Sequence, residues 1–145
     1  MDFAKFRADW ERDEGFKPHA YLDSEGFWTI GHGILIDERR GGGITREESR
    51  YLYGNRLMIC VRELERVLPG LLDSLDAPRA TVIAEMALNL GVRKFLGFKL
   101  MIAALRGGEW EEAARQALDS KWARQVGERA KRIADTLRYG EVRGE

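Results

Sequence analysis

A chain of 145 residues, 44% of them hydrophobic, is long enough for one compact domain that buries roughly 68–70% of its unfolded surface. Its 24 Lys/Arg and 24 Asp/Glu cancel, so net charge gives no case for a nucleic-acid-binding or membrane protein. One cysteine, Cys60, excludes an internal disulfide, and no run reaches the roughly 20 apolar residues of a membrane span. The charged N-terminus lacks the apolar core of a signal peptide, so we expect a protein folded in a cytoplasm.

Charge is unevenly distributed along this neutral chain. Residues 1–75 contain 11 Lys/Arg and 14 Asp/Glu, whereas residues 76–145 contain 13 and 10. Within the second half, the stretch Lys121–Arg132 holds five basic residues and one acid. We expect an anionic partner to bind there.

The first predicted elements are a helix and a small sheet. Asp2, followed by hydrophobic residues at helical spacing, predicts a helix over residues 2–14 that ends at Gly15. β-prone runs separated by the turn Asp23–Gly26 then predict a three-stranded antiparallel sheet. Its strands are residues 19–22, 27–30 and 34–36. A sheet this small needs a helical neighbour to be stable.

The remainder of the sequence is predicted to be helical. After the connector Gly41–Gly43, Thr45 and Glu48 form a capping box that starts a long helix over about residues 46–68. Shorter helical segments follow at residues 76–90, 98–105, 110–118 and 128–137. We therefore predict an α+β fold in one domain, residues 1–145. It comprises a β lobe at about 15–43, a linking helix at about 46–68, and a helical lobe at about 76–140 that also includes the helix 2–14.

Chemically distinctive residues concentrate between Asp13 and Gly33. Glu14 and Asp23 lie on separate predicted elements, and two carboxylates facing one cleft are the minimal equipment of a glycosidase. The hydroxyl of Thr29 could hold a water molecule beside the second carboxylate. Both histidines lie on the same hairpin, which leaves no Ser/His/Asp grouping and no metal set. By pattern alone, simple solvent exposure explains Glu14 equally well.

The spacing of these residues carries a family resemblance. Glu14-Gly15, eight residues, and then Asp23-x-x-Gly26-x-x-Thr29-Ile30-Gly31-x-Gly33 resembles the catalytic signature of the phage-type lysozymes, glycoside hydrolase family 24. Six further anchors keep the family's order along the chain. They are Gly43-Ile44-Thr45, Asp73–Ala77, Gly97-Phe98, Trp110–Ala114, Lys121-Trp122 and Arg129–Arg132.

The resemblance implies a lysozyme-like fold whose two lobes border a cleft, and it implies catalytic roles. Glu14 would be the general acid, while Asp23 and Thr29 would handle the attacking water, with Gly26, Gly31 and Gly33 as the bends that place them. The implied reaction is hydrolysis of the β-1,4 bond between N-acetylmuramic acid and N-acetylglucosamine in bacterial peptidoglycan, with inversion. No cofactor or metal is implied.

The resemblance also implies a substrate-binding wall from the second half of the chain. Arg129 matches an arginine that pairs with the catalytic glutamate, Trp122 and Gln125 accompany it, and Asn89 matches an amide of the cleft floor. Each has a structural alternative. Trp122 could belong to the core, Asn89 could cap its helix, and Arg129 could pair with Glu128.

Three departures from the family pattern stand out. The family's histidine after the last glycine of the signature is replaced by Ile34, and a histidine stands at His32 instead, with no role that the sequence explains. The segment 35–43 is short, which predicts a smaller sheet lobe. The chain also lacks the strong positive charge of many relatives, so binding to the anionic wall should depend on Lys121–Arg132 and weaken with salt.

The expected partner is bacterial peptidoglycan, and the protein is expected to be a monomer. We expect it to stay in the host bacterial cytoplasm until lysis and to depend on a holin to reach the periplasm and cell wall. Two alternatives remain open from the sequence. A lytic transglycosylase would form an anhydro product without water, which leaves Asp23 and Thr29 little to do. A wall-binding module without activity would bind peptidoglycan and release no reducing ends. The sequence does not reveal the carboxylate separation that distinguishes inversion from retention.

Overall fold

A computed structural model describes residues 1–37 and 42–140 of the chain. These residues form a three-stranded antiparallel sheet and eight α-helices, which confirms the predicted α+β class. The chain divides into two compact units, Met1–Tyr51 and the chain from Leu52 onward. The first residue of the predicted connector 41–43 lies outside the described residues.

Unit 1 contains the N-terminal helix and the sheet. The elements in chain order are α1 (Phe3–Glu14), β1 (Lys17–Leu22), β2 (Trp28–Gly31) and β3 (Ile34–Leu35). Asp2 caps α1 by accepting from the Lys5 backbone N–H at 3.0 Å, and Gly15 ends the helix at φ 66°. This helix falls in the same compact unit as the sheet. Its predicted grouping with the helical lobe stays a prediction.

The sheet has the strand order β1-β2-β3, so β1 is an edge strand. It begins two residues earlier than predicted and includes Pro18, which an edge strand tolerates because one side of its backbone needs no ladder partner. The pairing shifts register between Lys17 and Tyr21, which flank the proline. Beyond this irregularity Tyr21 pairs with Thr29, and the hairpin continues to its turn.

Helix α2 (Arg46–Val67) begins with the predicted capping box. The Thr45 hydroxyl accepts from the Glu48 N–H at 3.1 Å, and the Glu48 carboxylate accepts from the Thr45 N–H at 2.7 Å. Reciprocal bonds satisfy two donors that the helix start would otherwise leave unpaired, which explains why the helix begins at Arg46.

Unit 2 is a helical body around one hydrophobic core. After a short 3-10 turn at Leu72–Ser74, its helices are α3 (Ala77–Leu90), α4 (Val92–Phe95), α5 (Lys99–Gly107), α6 (Trp110–Leu118), α7 (Lys121–Val126) and α8 (Glu128–Tyr139). Helix α3, predicted at residues 76–90, lies in the core, and its Ile83, Met86 and Ala87 are fully buried. They pack in one cluster with side chains of the surrounding helices, including Phe95 and Ile133.

Two short helices, α4 and α7, were not predicted. Their four and six residues are too few to show a hydrophobic period, and α4 starts directly after the glycine that ends α3. Helix α7 does carry a local start signal, because the Ser120 side chain accepts from the Ala123 N–H at 3.0 Å. No helix within residues 1–37 and 42–140 has the length and apolar character needed to cross a membrane.

A buried arginine joins the start of α3 to the end of α8. The Arg79 guanidinium donates to the carbonyls of Leu137 at 2.7 Å and Arg138 at 3.0 Å, and to the Asp76 carboxylate at 2.6 Å. It also lies 4.1 Å from the ring centroid of Trp110. These contacts use the planar fork of donors that distinguishes arginine from lysine.

Candidate active site

The candidate general acid, Glu14, is the last residue of α1, and its carboxylate lies directly against Gly33. A Cβ built on Gly33 would come 2.1 Å from Glu14 Oε2, which is far inside contact distance. Gly33 has φ 68°, a conformation that glycine adopts without strain. Glycine at this position therefore supplies both the turn between β2 and β3 and the space that the carboxylate occupies.

Asp23 and Thr29 belong to one hydrogen-bonded cluster at the hairpin turn. Asp23 Oδ1 accepts from the N–H groups of Glu25 at 2.9 Å and Phe27 at 2.8 Å. The Phe27 carbonyl in turn accepts from the Asp23 N–H at 2.9 Å and from the Thr29 hydroxyl at 3.2 Å. The turn thus holds the aspartate carboxylate, and the carbonyl that accepts from the Asp23 N–H also accepts from the hydroxyl of the buried Thr29.

All three predicted catalytic residues therefore lie on unit 1, with Glu14 at the end of α1, Asp23 in the hairpin turn and Thr29 on β2. Thr29 stands near the start of β2, and the turn after β2 carries Gly33 with the Glu14 carboxylate against it. In general, a carboxylic acid can donate a proton to a leaving oxygen, and a carboxylate with a hydroxyl group can hold a water molecule.

Comparison with known proteins identifies the family of the chain. The sequence profile of the phage lysozyme family matches residues 11–137, which is most of the chain. The chain belongs to the phage lysozyme family. It is a glycosidase of the lysozyme type, and its substrate is bacterial peptidoglycan.

Three curated relatives match 90% of the lysozyme chain. Probable T4-type lysozyme 1 of Dictyostelium discoideum is 28% identical over 155 residues, which are 91% of that protein. Pre-baseplate central spike protein Gp5 of Enterobacteria phage T4 is 28% identical over 156 residues, but these are only 27% of its length. Probable T4-type lysozyme 2 of Dictyostelium discoideum is 23% identical over 156 residues, or 92% of that protein.

The predicted substrate-binding residues Asn89 and Trp122 of the lysozyme are in direct contact within unit 2. The Trp122 indole N–H donates to Asn89 Oδ1 at 2.8 Å. Trp122 is only 4% exposed and belongs to the hydrophobic core, whereas Asn89 is exposed. The buried indole thus holds the side-chain oxygen of Asn89, and the side-chain nitrogen of Asn89 is directed away from Trp122.

Arg129 has a partner that sequence analysis missed. Its Nε lies 3.7 Å from Glu85 Oε1, and the same carboxylate binds the Arg132 guanidinium. The partner considered from the sequence, Glu128, instead pairs with Lys131 at 2.6 Å. Glu85 carries the only carboxylate side chain on helix α3, and this is the signal that could have identified it. Pairing of Arg129 with Glu14 stays a prediction.

The remaining predicted residue, Gln125, lies exposed on α7 of the lysozyme, and its binding role also stays a prediction. Among the residues that the structure describes, no group of three or more His, Cys, Asp or Glu side chains is arranged to hold a metal ion. Cys60 is buried, and this burial raises the pKa of its thiol.

Proposed function

We propose that the lysozyme cleaves the β-1,4 bond between N-acetylmuramic acid and N-acetylglucosamine with Glu14 as general acid. Glu14 protonates the glycosidic oxygen while Asp23 and Thr29 activate and orient a water molecule, so that the sugar product has inverted configuration. Asn89, Arg129, Gln125 and Trp122 support substrate binding, Trp122 through Asn89.

The observation that carries this proposal is the placement of the Glu14 carboxylate on Gly33. The carboxylate lies at the end of a helix, and among residues 1–37 and 42–140 it forms no ion pair with a neighbouring base, because Arg12 pairs with Asp9 and Asp13, each at 3.0 Å. The Asp23 carboxylate is held by two backbone donors, which keep its orientation fixed before substrate binds.

The direct test is substitution of the general acid. Glu14→Gln keeps the shape of the side chain but cannot transfer a proton, so the initial rate of peptidoglycan hydrolysis should fall by about 10²–10⁴-fold. Glu11→Gln, one turn earlier on α1, is the matched control and should retain wild-type activity. A Glu14→Gln variant that remains folded and active would refute the assigned mechanism.

Product analysis separates the remaining mechanisms. Inverting hydrolysis of a β-linked chain releases the α-anomer first, which NMR of fresh digests detects, whereas a retaining enzyme releases the β-anomer. An anhydro product in mass spectra would identify a lytic transglycosylase instead. Binding to peptidoglycan without release of reducing ends would identify a wall-binding module.

We further propose that the lysozyme acts as a monomer that accumulates in the host cytoplasm and needs a holin to reach the wall. Gel filtration tests the monomer. Expression with and without a holin tests the route, because the proposal expects cell lysis only when the holin is present.

A further inference from the structure

The proposed reaction gives no role to His32, which lies in the turn after β2 and contacts the end of helix α1. Its Nδ1 atom is 2.8 Å from the Gly15 carbonyl oxygen, and its own carbonyl accepts from the Trp10 indole N–H at 2.9 Å. The imidazole also lies 5.1 Å from the ring centroid of Phe16. Helix α1 and the turn after β2 are thus joined at His32 by two hydrogen bonds and a ring contact.

The hydrogen bond to Gly15 determines which ring nitrogen carries the proton. A carbonyl oxygen can only accept, so Nδ1 must be the donor. Gly15 is the residue directly after Glu14, and it leaves the helix with φ 66°. The imidazole therefore restrains the peptide that follows Glu14, at the point where the regular hydrogen bonds of the helix end.

The two hydrogen bonds of His32 involve residues before and after Glu14 in the sequence. Trp10 is one turn before it on α1, Gly15 is directly after it, and both are tied to the residue that precedes Gly33. The Glu14 carboxylate rests on Gly33 itself. A shift of the helix end relative to this turn would therefore move the carboxylate relative to the sheet that carries Asp23 and Thr29.

We propose that His32 is a positioning residue for Glu14, and that its Nδ1–H bond to the Gly15 carbonyl sets where the Glu14 carboxylate lies over Gly33. The proposal rests on the proposed role of Glu14 as general acid. General acid catalysis requires the carboxyl group within hydrogen-bond reach of the leaving oxygen. A misplacement of about 1 Å can cost about 100-fold in rate.

The test compares substitutions that keep or remove the donor. His32→Leu removes it, whereas His32→Asn offers a side-chain N–H at nearly the position of Nδ1. With soluble peptidoglycan strands as substrate, His32→Leu should lower kcat by about 10- to 100-fold with little change in KM, since positioning acts on the chemical step. His32→Asn should recover most of the lost kcat.

His19→Leu is the matched control, because it makes the same substitution on strand β1 of the same sheet and should leave kcat unchanged. Wild-type kcat in His32→Leu, or equal losses of kcat in the Leu and Asn variants, would overturn the proposal. If Glu14→Gln is inactive in the same assay while His32→Leu is fully active, only the role of His32 fails. If Glu14→Gln is active, the proposed mechanism itself fails.

A measurement on the wild-type protein covers the case in which His32→Leu does not fold. ¹⁵N NMR at a pH where the imidazole is neutral should show His32 with its proton on Nδ1. A proton found on Nε2 would overturn the proposal, because the Gly15 carbonyl would then have no donor in the ring.

Discussion

Glu14 can lie where it does because residue 33 has no Cβ. Gly31 and Gly33 both have positive φ, at 67° and 68°, but their surroundings differ. A Cβ on Gly31 meets nothing within 4 Å, whereas a Cβ on Gly33 would collide with the Glu14 carboxylate. Backbone conformation alone explains glycine at residue 31, whereas conformation and space together explain glycine at residue 33.

This difference gives a matched pair of substitutions. Gly31→Ala and Gly33→Ala should each destabilise the fold by about 1–2 kcal/mol, the cost of placing an L-residue in the left-handed region. Only Gly33→Ala should also lower kcat, by about 10- to 100-fold, because the carboxylate must move away from the new methyl group. Thermal unfolding and initial rates measure the two effects. Equal activity of the two variants would contradict the placement of Glu14.

At the scale of one element, the start of α3 shows how a charge supports a helix. Asp76 caps α3 through the Arg79 N–H at 3.1 Å and also pairs with the Arg79 side chain. Partial burial works to raise the pKa of Asp76, but the hydrogen bonds and positive charge of Arg79 outweigh it and lower this pKa below its ordinary value. The folded state therefore binds this proton less readily than the unfolded chain does.

The lowered pKa predicts a pH dependence of stability. The contribution of the Asp76 charge is fully present above the pKa of the unfolded chain and is lost as pH falls through the lower folded-state pKa. Asp76→Asn keeps a capping side chain but removes the charge. Its free energy of unfolding should be lower than that of the wild type at neutral pH, and the difference should shrink in acid.

Urea unfolding of both proteins between neutral pH and pH about 2.5 measures this effect. The Asp76 side chain is 40% exposed, so the difference should also shrink with added salt. A difference in unfolding free energy that stays constant with pH would show that the charge contributes nothing.

At the scale of the whole molecule, the net charge is zero. Any electrostatic attraction to the anionic wall must therefore come from local groups of basic residues. Of the five bases in Lys121–Arg132, three are engaged with carboxylates, because Lys131 pairs with Glu128 while Arg129 and Arg132 share Glu85. The ion pairs among the described residues leave Lys121 and Arg124 on α7 as the remaining bases of this stretch.

Charge reversal at these two positions tests whether the stretch binds the wall. In a Glu14→Gln background, Lys121→Glu with Arg124→Glu should weaken co-sedimentation with purified peptidoglycan at low salt. Arg93→Glu with Lys94→Glu on α4 changes the net charge equally and is the control. The difference should vanish near 1 M salt, where the Debye length is about 3 Å. Equal losses in both double variants would show that binding responds to net charge alone.

Local signals were sufficient to predict most elements of this protein. Asp2 and Gly15 delimit α1, the Thr45–Glu48 capping box starts α2, and the turn from Asp23 to Gly26 forms as predicted, with the Gly26 N–H donating to the Asp23 carbonyl at 3.1 Å. Each of these signals acts between residues at most four positions apart in the sequence. It can therefore be recognised without knowledge of the tertiary structure. The helices that were missed, α4 and α7, are too short to show a period.

The candidate site was predictable in part for the same reason. The motif from Glu14 to Gly33 lies within one short stretch, so it can be compared directly with the family's signature, and that resemblance implies the proposed acid and the water-handling pair. The spacing does not reveal that the Glu14 carboxylate rests on Gly33, nor that His32 bonds to the Gly15 carbonyl. Those contacts depend on how α1 turns back onto the sheet.

By itself, then, the sequence determined the element types, the capping residues and the candidate catalytic set of this lysozyme. Only the tertiary structure decided which partner each long side chain takes. Arg129 meets Glu85 rather than Glu128, Trp122 holds Asn89 from the core, and Arg79 reaches carbonyls 58 and 59 residues away. Many carboxylates and carbonyls are within the reach of such side chains, and the packing of the helices selects among them.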